Sequence, residues 1–199
     1  MRCVLCERDI HPMLTWEGLF CRRKKWVACA RCYAKFERAR ADSYEGINTL
    51  YIYNEAMKEW LHRFKFAKDS VVAHIFADEL KRAFKRYKRA VVVPIPMHVD
   101  KKRERTFAHI DVLLEAAGVR YTHLLEKTTS DSQSQKSQQQ RQKSATLFRR
   151  NAIQLKKDTP LVLVDDIVTT GTTIRHAREV LEQDGFINIE VVVLISARL

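Results

Sequence analysis

The stretch Leu161-Val-Leu-Val-Asp-Asp-Ile-Val-Thr-Thr-Gly-Thr-Thr173 constrains this chain more than any other. Leu161 to Val164 is apolar at every position, the pattern of a strand covered on both faces, as strands of parallel sheets are. The strand is predicted to end in two adjacent carboxylates, Asp165 and Asp166, and to turn through a hydroxyl-rich loop into a helix starting near Thr172. The loop Ile167, Val168, Thr169, Thr170, Gly171, Thr172 and Thr173 offers backbone N–H groups and four threonine hydroxyls, and Gly171 permits the positive φ that wraps a chain around an anion. A helix beginning there aims its unpaired N–H groups and positive dipole end at the same place, which makes a phosphate cradle. Asp165 and Asp166, at the carboxyl end of the strand, are placed to accept hydrogen bonds from vicinal sugar hydroxyls or to hold Mg²⁺ through water. Phosphate and diol together read as a ribose 5-phosphate. Neither a Walker loop nor a three-glycine dinucleotide fingerprint is present. The plain alternative is a strand, a polar turn and a capped helix, but capping alone does not require two carboxylates beside four threonines.

At the other end, Cys3-Val-Leu-Cys6 and Cys29-Ala-Arg-Cys32 are two Cys-x-x-Cys pairs separated by 22 residues. Each pair in a tight turn offers two thiolates to one side, and two such turns complete the tetrahedron of a structural zinc ribbon or knuckle. The competing reading is that some of these thiols are small buried apolar groups. A chain without a secretory signal reads as cytoplasmic, where disulfides are rare, and four thiolates leave no open position for a catalytic zinc. The fifth cysteine, Cys21, has no pair.

Charge narrows the class of partner. The formal net charge is +12, from 36 Lys and Arg against 24 Asp and Glu, which favours polyanions such as single-stranded DNA or phosphorylated small molecules. Basic clusters lie at Arg22 to Lys25, Lys81 to Arg89, Lys101 to Arg105 and Arg149-Arg150, and residues 1–44 carry 10 Lys and Arg against 5 Asp and Glu. Trp26, Tyr33 and Phe36 stand among these cations and can either stack on bases or pack around the metal. No apolar stretch reaches membrane-spanning length.

The chain divides into a zinc module over 1–44 and a larger domain over 45–199, which is long enough for one well-cored unit. Phe36 to Asp42 reads as a short charged helix leading out of the first module, and Leu50 to Tyr53 as a strand. Asn54 is set to cap a helix to about Lys65, with Met57, Trp60, Leu61 and Phe64 on one apolar face. A second helix follows over Val71 to Tyr87, and Ala90 to Pro94 is a buried strand. Thr106 is predicted to cap a helix to Ala117 that Gly118 closes. After the Leu161 strand, a helix with Ile174, Ala177, Val180 and Leu181 inward ends at Gly185, and Ile189 to Ile195 is the last strand. Strand and helix alternate, so the fold class is α/β, a mostly parallel sheet flanked by helices. Between these elements, Ser130 to Gln142 holds six glutamines and four serines with no large apolar side chain, and reads as a surface loop.

Val164-Asp-Asp-Ile-Val-Thr-Thr-Gly-Thr-Thr173 resembles the ligand-binding signature of type I phosphoribosyltransferases, which implies 5-phosphoribosyl-1-pyrophosphate (PRPP) with Mg²⁺ as ligand. Further segments narrow the resemblance to the ComF/GntX family over essentially the whole chain. Pro94-Ile-Pro-Met-His98, with Arg103 and Arg105-Thr-Phe-Ala-His109 after it, is similar to that family's Pro-x-Pro-x-His and Arg-Gly-Phe-Asn-Gln segments. Gln133, Arg141 and Phe148 match its glutamine, arginine and phenylalanine spacing, and Lys65-Phe66 its lysine-aromatic step. Thr106 stands where the family has glycine, Ala108 and His109 where it has Asn-Gln, and Ser144 where asparagine is usual.

The resemblance implies a lid at Gln133 and Arg141 that closes over the ligand. The turn Ile95, Pro96, Met97 and His98 is placed to offer N–H groups to pyrophosphate, with Lys101, Arg103, Arg105 and Lys65 as its cations; the plain alternative is a proline-stiffened loop with a solvated basic run. For the whole protein the resemblance implies an accessory role in DNA uptake and natural transformation. The partners it implies are PRPP, single-stranded DNA and a competence helicase or other uptake proteins. The alternatives are an active phosphoribosyltransferase of nucleotide salvage and a PRPP-responsive regulator. No catalytic residue is assignable from sequence, and an acceptor site is expected from residues before Ala90.

Overall fold

Four apolar strands and the helices between them build one parallel sheet covered on both faces. The computed structural model describes residues 2–10, 28–40, 46–97, 106–128 and 147–197. In chain order the elements are α1 (Ala30–Tyr33), β1 (Ile47–Ile52), α2 (Glu55–Lys65), a 3₁₀ segment (Ser70–Phe76), α3 (Ala77–Phe84) and a 3₁₀ turn (Lys85–Tyr87). They continue with β2 (Val91–Pro94), α4 (His109–Ala117), β3 (Leu125–Lys127), β4 (Phe148–Arg150), β5 (Leu161–Val168), α5 (Thr172–Gln183) and β6 (Ile189–Ser196). The main sheet has the order β1-β6-β5-β2 with every pair parallel, while β3 and β4 form a separate antiparallel ribbon.

Strand register positions everything that follows. β2 ends with Pro94 opposite Val164, so β5 outruns it and carries Asp165 and Asp166 past the end of its neighbour. On the other side β5 keeps pairing with β6 as far as Val168 opposite Ser196. The two carboxylates therefore stand inside a strand rather than at its end: the predicted loop at Ile167 is still sheet, because β6 continues to supply partners.

The two faces bury different sets of side chains. α2, the 3₁₀ segment, α3 and α4 cover one face, where Trp60, Phe64, Phe76, Leu80 and Leu114 pack on Val162, Val164, Val192 and Leu194. α5 and the β3–β4 ribbon cover the other, where Ile174, Ala177, Leu181, Leu125 and Phe148 pack on Leu161, Leu163, Val191 and Val193. The alternation of Val162 and Val164 with Leu161 and Leu163 is the period-two geometry of a strand buried on both sides.

Local signals explain most boundaries. Asn54 caps α2 by accepting from the Met57 amide at 3.0 Å, and the inward residues are Met57, Trp60, Leu61 and Phe64, as the spacing predicts. Gly118 ends α4 in the left-handed region at φ 66, which costs a glycine nothing. The expected helix over Val71 to Tyr87 is helical but divided, α only in its middle and 3₁₀ at either end.

Two expectations are corrected, and one element has no counterpart among them. Of the charged helix expected over Phe36 to Asp42, the described residues are not helical. Residues 37–39 instead run extended beside β1, with the Ala39 amide donating to Leu50 O at 3.0 Å and the Ile52 amide to Glu37 O at 2.9 Å. An edge strand has unpaired backbone groups to satisfy, and burial of the Phe36 ring against Phe76, 5.0 Å between centroids, holds the segment there. Thr106 does not cap α4, whose N-cap is Ala108; Thr106 itself sits at φ 70, where the resembled family has glycine. The ribbon of β3 and β4 leaves no sequence signal, because Leu-Glu-Lys and Phe-Arg-Arg are too short and too charged to show alternation; Leu125 and Phe148 form it by packing on the sheet.

Asn54 also donates from its side-chain nitrogen to Lys35 O at 2.9 Å. Asn54→Ala removes both bonds and is expected to cost about 1–2 kcal/mol, read as a lower denaturant midpoint with an unchanged slope.

Candidate functional site at the carboxyl edge of the sheet

Consecutive residues of a strand point to opposite faces, and Asp165 and Asp166 obey this rule. Asp166 faces α2 and α4. Its carboxylate is 2.7 Å from the Lys65 ammonium, with the two side chains only 9% and 13% exposed, and it is 3.8 Å from Nδ1 of His109. His109 is itself buried between Phe64 and Phe107, 5.2 Å from each ring centroid. Asp166 is thus held in a buried ion pair rather than presented to solvent.

Asp165 behaves differently. Burial first, and then the neighbouring Asp166 charge, push its carboxyl up to about 7, against the opposing pull of the Asp166 amide, Lys65 and Lys127. The Asp166 amide donates to the Asp165 carboxylate at 2.8 Å, which holds that carboxylate against the backbone of the next residue. Asp166 has Lys65 and His109 beside it, whereas the pull of Lys65 and Lys127 does not offset the burial of Asp165, and a hard divalent cation or hydroxyl donors suit such a carboxylate.

Beyond Val168 the chain leaves the sheet through exposed Thr169 and Thr170, turns at Gly171 with φ 71, and enters α5 at Thr172. Thr170 and Thr172 share a hydroxyl contact of 3.0 Å, and the Thr172 amide points at the Thr170 hydroxyl at 3.4 Å. The helix starts where the sequence predicts, and Gly171 is in the left-handed conformation that its place in the loop requires.

The other sequence candidates divide. Ile95 is buried and its amide donates to Val164 O at 2.9 Å, so that N–H extends the sheet. Pro96 has no N–H, which leaves Met97 to offer one. His98, Lys101, Arg103, Arg105, Gln133 and Arg141 lie outside the described residues, as do Trp26 and Cys21. The pairing of Lys65 with Asp166 was missed in the sequence, yet a signal existed. Lys65 follows Leu61 by four residues and so falls on the buried stripe of α2, where a lysine needs a counter-charge.

At the amino end the sulfurs of Cys3, Cys6, Cys29 and Cys32 all lie within 4.8 Å of one another, and Cys6 and Cys29 are 3.8 Å apart. Four sulfurs about 2.3 Å from a common ion stand about 3.8 Å from each other, so this cluster can hold a metal. Although burial works against the thiolate at Cys3, amides of Cys29, Cys6 and Leu5 outweigh it and bring the thiol down to about 6. Burial, then hydrogen bonds from the other three cysteines, push Cys32 up to about 12. Cys3 is therefore ready to ligate as a thiolate, whereas Cys32 would give up its proton to a cation bound among the four. Tyr33 and Phe36, read as possible base-stacking residues, are occupied in packing: the Tyr33 hydroxyl bonds that of Tyr51 at 2.7 Å and Phe36 lies in the core.

A parallel sheet with paired acids and a threonine-glycine turn at its carboxyl edge defines the phosphoribosyltransferase class, and residues 67–198 match the phosphoribosyl transferase domain family. Competence protein ComFC of Streptococcus pneumoniae is 30% identical over 211 residues, spanning 93% of this chain and 95% of that protein. Competence protein ComFC of Bacillus subtilis is 26% identical, spanning 92% and 89%. The chain belongs to the ComF family, with a phosphoribosyltransferase-type domain. Among solved structures, the allosteric regulatory enzyme of purine biosynthesis superposes with a TM-score of 0.43 at 19% identity, over 67% of this chain and 30% of that enzyme. Among the described residues no helix is long and apolar enough to cross a membrane.

Lys65→Met strands the Asp166 carboxylate in an apolar setting and is expected to destabilise the fold by about 3–5 kcal/mol, while Lys65→Met with Asp166→Asn recovers most of the loss in chemical denaturation. For Asp165 the native state keeps a proton that the unfolded chain releases near the ordinary value of 3.8, so stability falls as pH rises from there to about 7. Asp165→Asn removes this liability. Its advantage over the natural chain should be absent at acid pH and reach about 2 kcal/mol above neutrality, discounted for the partial exposure of the side chain, in melts at matched pH.

Proposed function

We propose that this protein is an accessory factor of DNA uptake in natural transformation, binding PRPP at the carboxyl edge of its sheet and single-stranded DNA elsewhere on its basic surface. The observation that carries the PRPP reading is the turn Thr169 to Thr173, opening through Gly171 into α5 directly beyond Asp165 in a chain of the phosphoribosyltransferase class. Its hydroxyls and amides suit the 5-phosphate, and the helix end favours the same charge. Asp165 suits the ribose hydroxyls, and Asp166, held by Lys65, keeps the strand end in place. Mg²⁺ entering with PRPP would be held through Asp165 and would neutralise pyrophosphate charge when bound. The competence role rests on relatives of that name that match this chain over nearly its whole length.

The metal of the cysteine cluster is zinc in this reading, because an S₄ set in a closed tetrahedron favours it and leaves no coordination site for catalysis. It organises the module over 1–44, with the ligand domain over 45–199, in a cytoplasmic protein whose partners are uptake proteins such as a helicase.

Calorimetric titration of PRPP with Mg²⁺ should show one site per chain. Asp165→Asn and Thr170→Val with Thr172→Val should each weaken it at least tenfold, roughly the loss of a charge-assisted hydrogen bond or of two neutral ones. Wild-type affinity in all of these variants would refute the assignment of the site. Removing the metal with a chelator is expected to lower the melting temperature by several degrees and to release one equivalent of zinc.

A further inference from the structure

The segment Lys81 to Arg89 forms a second feature that the carboxyl-edge site does not use. Its inward residues Phe84 and Tyr87 are buried in the core, as is Leu80 just before it, whereas Lys81, Arg82, Lys85, Arg86, Lys88 and Arg89 are all exposed. Two of these cations are compensated: Arg82 pairs with Glu79, and Arg86 lies 3.5 Å from Glu190. Lys81, Lys85, Lys88 and Arg89 make no ion pair among the described residues. Like charges three and four residues apart on a helix repel, so folding alone does not favour this arrangement, and a polyanion lying along it would relieve the repulsion.

The helix that carries the ridge is tied to the chain leaving the cysteine module. Arg38, beyond the last cysteine, reaches Glu79 of α3 at 3.3 Å, and Arg31, Lys35 and Arg40 are exposed nearby in sequence. It also lies far from the ligand edge. Lys88 and Arg89 immediately precede β2, and both Arg86 and Tyr87 contact Glu190 near the start of β6, which puts the ridge at the amino edge of the sheet. The eight residues of β5 separate that edge from the other by about 26 Å.

We infer that the exposed face of Lys81 to Arg89 is a docking surface for the phosphate backbone of single-stranded nucleic acid, independent of the phosphoribosyl site. The inference rests on the proposed DNA-uptake role and assigns that role a surface. Successive cations on one helical row are about 6 Å apart, a spacing that lets one strand engage several of them in turn. With no exposed aromatic ring on the ridge to stack on bases, its contacts are electrostatic, steeply salt-dependent and indifferent to sequence.

The test is fluorescence anisotropy of a labelled single-stranded oligothymidine across a salt titration, with the zinc-loaded full chain. Lys81→Gln/Lys85→Gln/Lys88→Gln should bind at least tenfold more weakly at low salt, with a log–log salt slope shallower by about 2, as expected for three lost phosphate contacts. A control that removes the same charge elsewhere, Lys58→Gln/Arg120→Gln/Lys156→Gln, should keep the natural slope, and saturating PRPP should leave oligothymidine affinity unchanged. Equal losses in both triple variants would make net charge the cause and overturn the ridge. An unaffected ridge variant would overturn it too, while leaving DNA binding by the protein intact. If the natural chain binds PRPP but ignores oligothymidine, or binds phosphatidylserine vesicles through these lysines instead, the nucleic-acid partner is overturned while the phosphoribosyl site stands.

Discussion

The Lys65–Asp166 ion pair is the interaction on which the arrangement of the carboxyl edge of the sheet depends. Burying a carboxylate and an ammonium costs several kcal/mol of hydration per ion, and only close pairing repays it. At 2.7 Å the pair is close enough. Because Lys65 is the last residue of α2 and Asp166 lies near the end of β5, their attraction ties that helix end to the strand end. It also divides the labour of the two acids. Asp166 becomes part of the frame, with His109 and Phe64 packed around it, and Asp165 is left with the surplus charge and the raised affinity for a proton. A ligand that donates hydroxyls or brings a divalent cation addresses that surplus.

The cysteine cluster is joined to the sheet rather than strung beside it. Its two turns bring four sulfurs together, and the chain leaving them buries Phe36 against Tyr51 and Phe76 and pairs residues 37–39 with β1. The Tyr33–Tyr51 hydroxyl contact and the Asn54 bond to Lys35 O add polar ties across the same seam. A metal at the cysteines would therefore stabilise the edge of the sheet as well as its own loops, since residues 37–39 pair with β1.

The sheet separates two kinds of charge. Among the described residues, its carboxyl edge gathers acids and hydroxyls around β5, and its amino edge carries the cations of α3 and of the turn after it. Parallel strands put all their carboxyl ends on one side, so ligand loops collect there while the opposite edge is available for another partner. Under the proposed function, a small phosphorylated ligand and a polyanion would occupy opposite edges of the sheet.

Much of this was legible in the chain itself. The unbroken apolar run before Asp165, the Asn54 cap, the Met57-Trp60-Leu61-Phe64 stripe, the positive-φ positions Gly118 and Gly171, and each of the two Cys-x-x-Cys pairs are local patterns, each expressing a geometry within a few residues of itself. Those patterns determined an α/β protein with a phosphate-type turn after a buried strand and a four-sulfur centre. Tertiary structure alone decided that Asp165 and Asp166 face opposite ways with different partners, that Lys65 serves Asp166, that residues 37–39 extend along β1, and that Leu125 and Phe148 anchor a ribbon. The physical reason is distance along the chain: Lys65 and Asp166, or Arg38 and Glu79, are neighbours only because separate elements pack together, and no local pattern records a partner that packing has yet to supply.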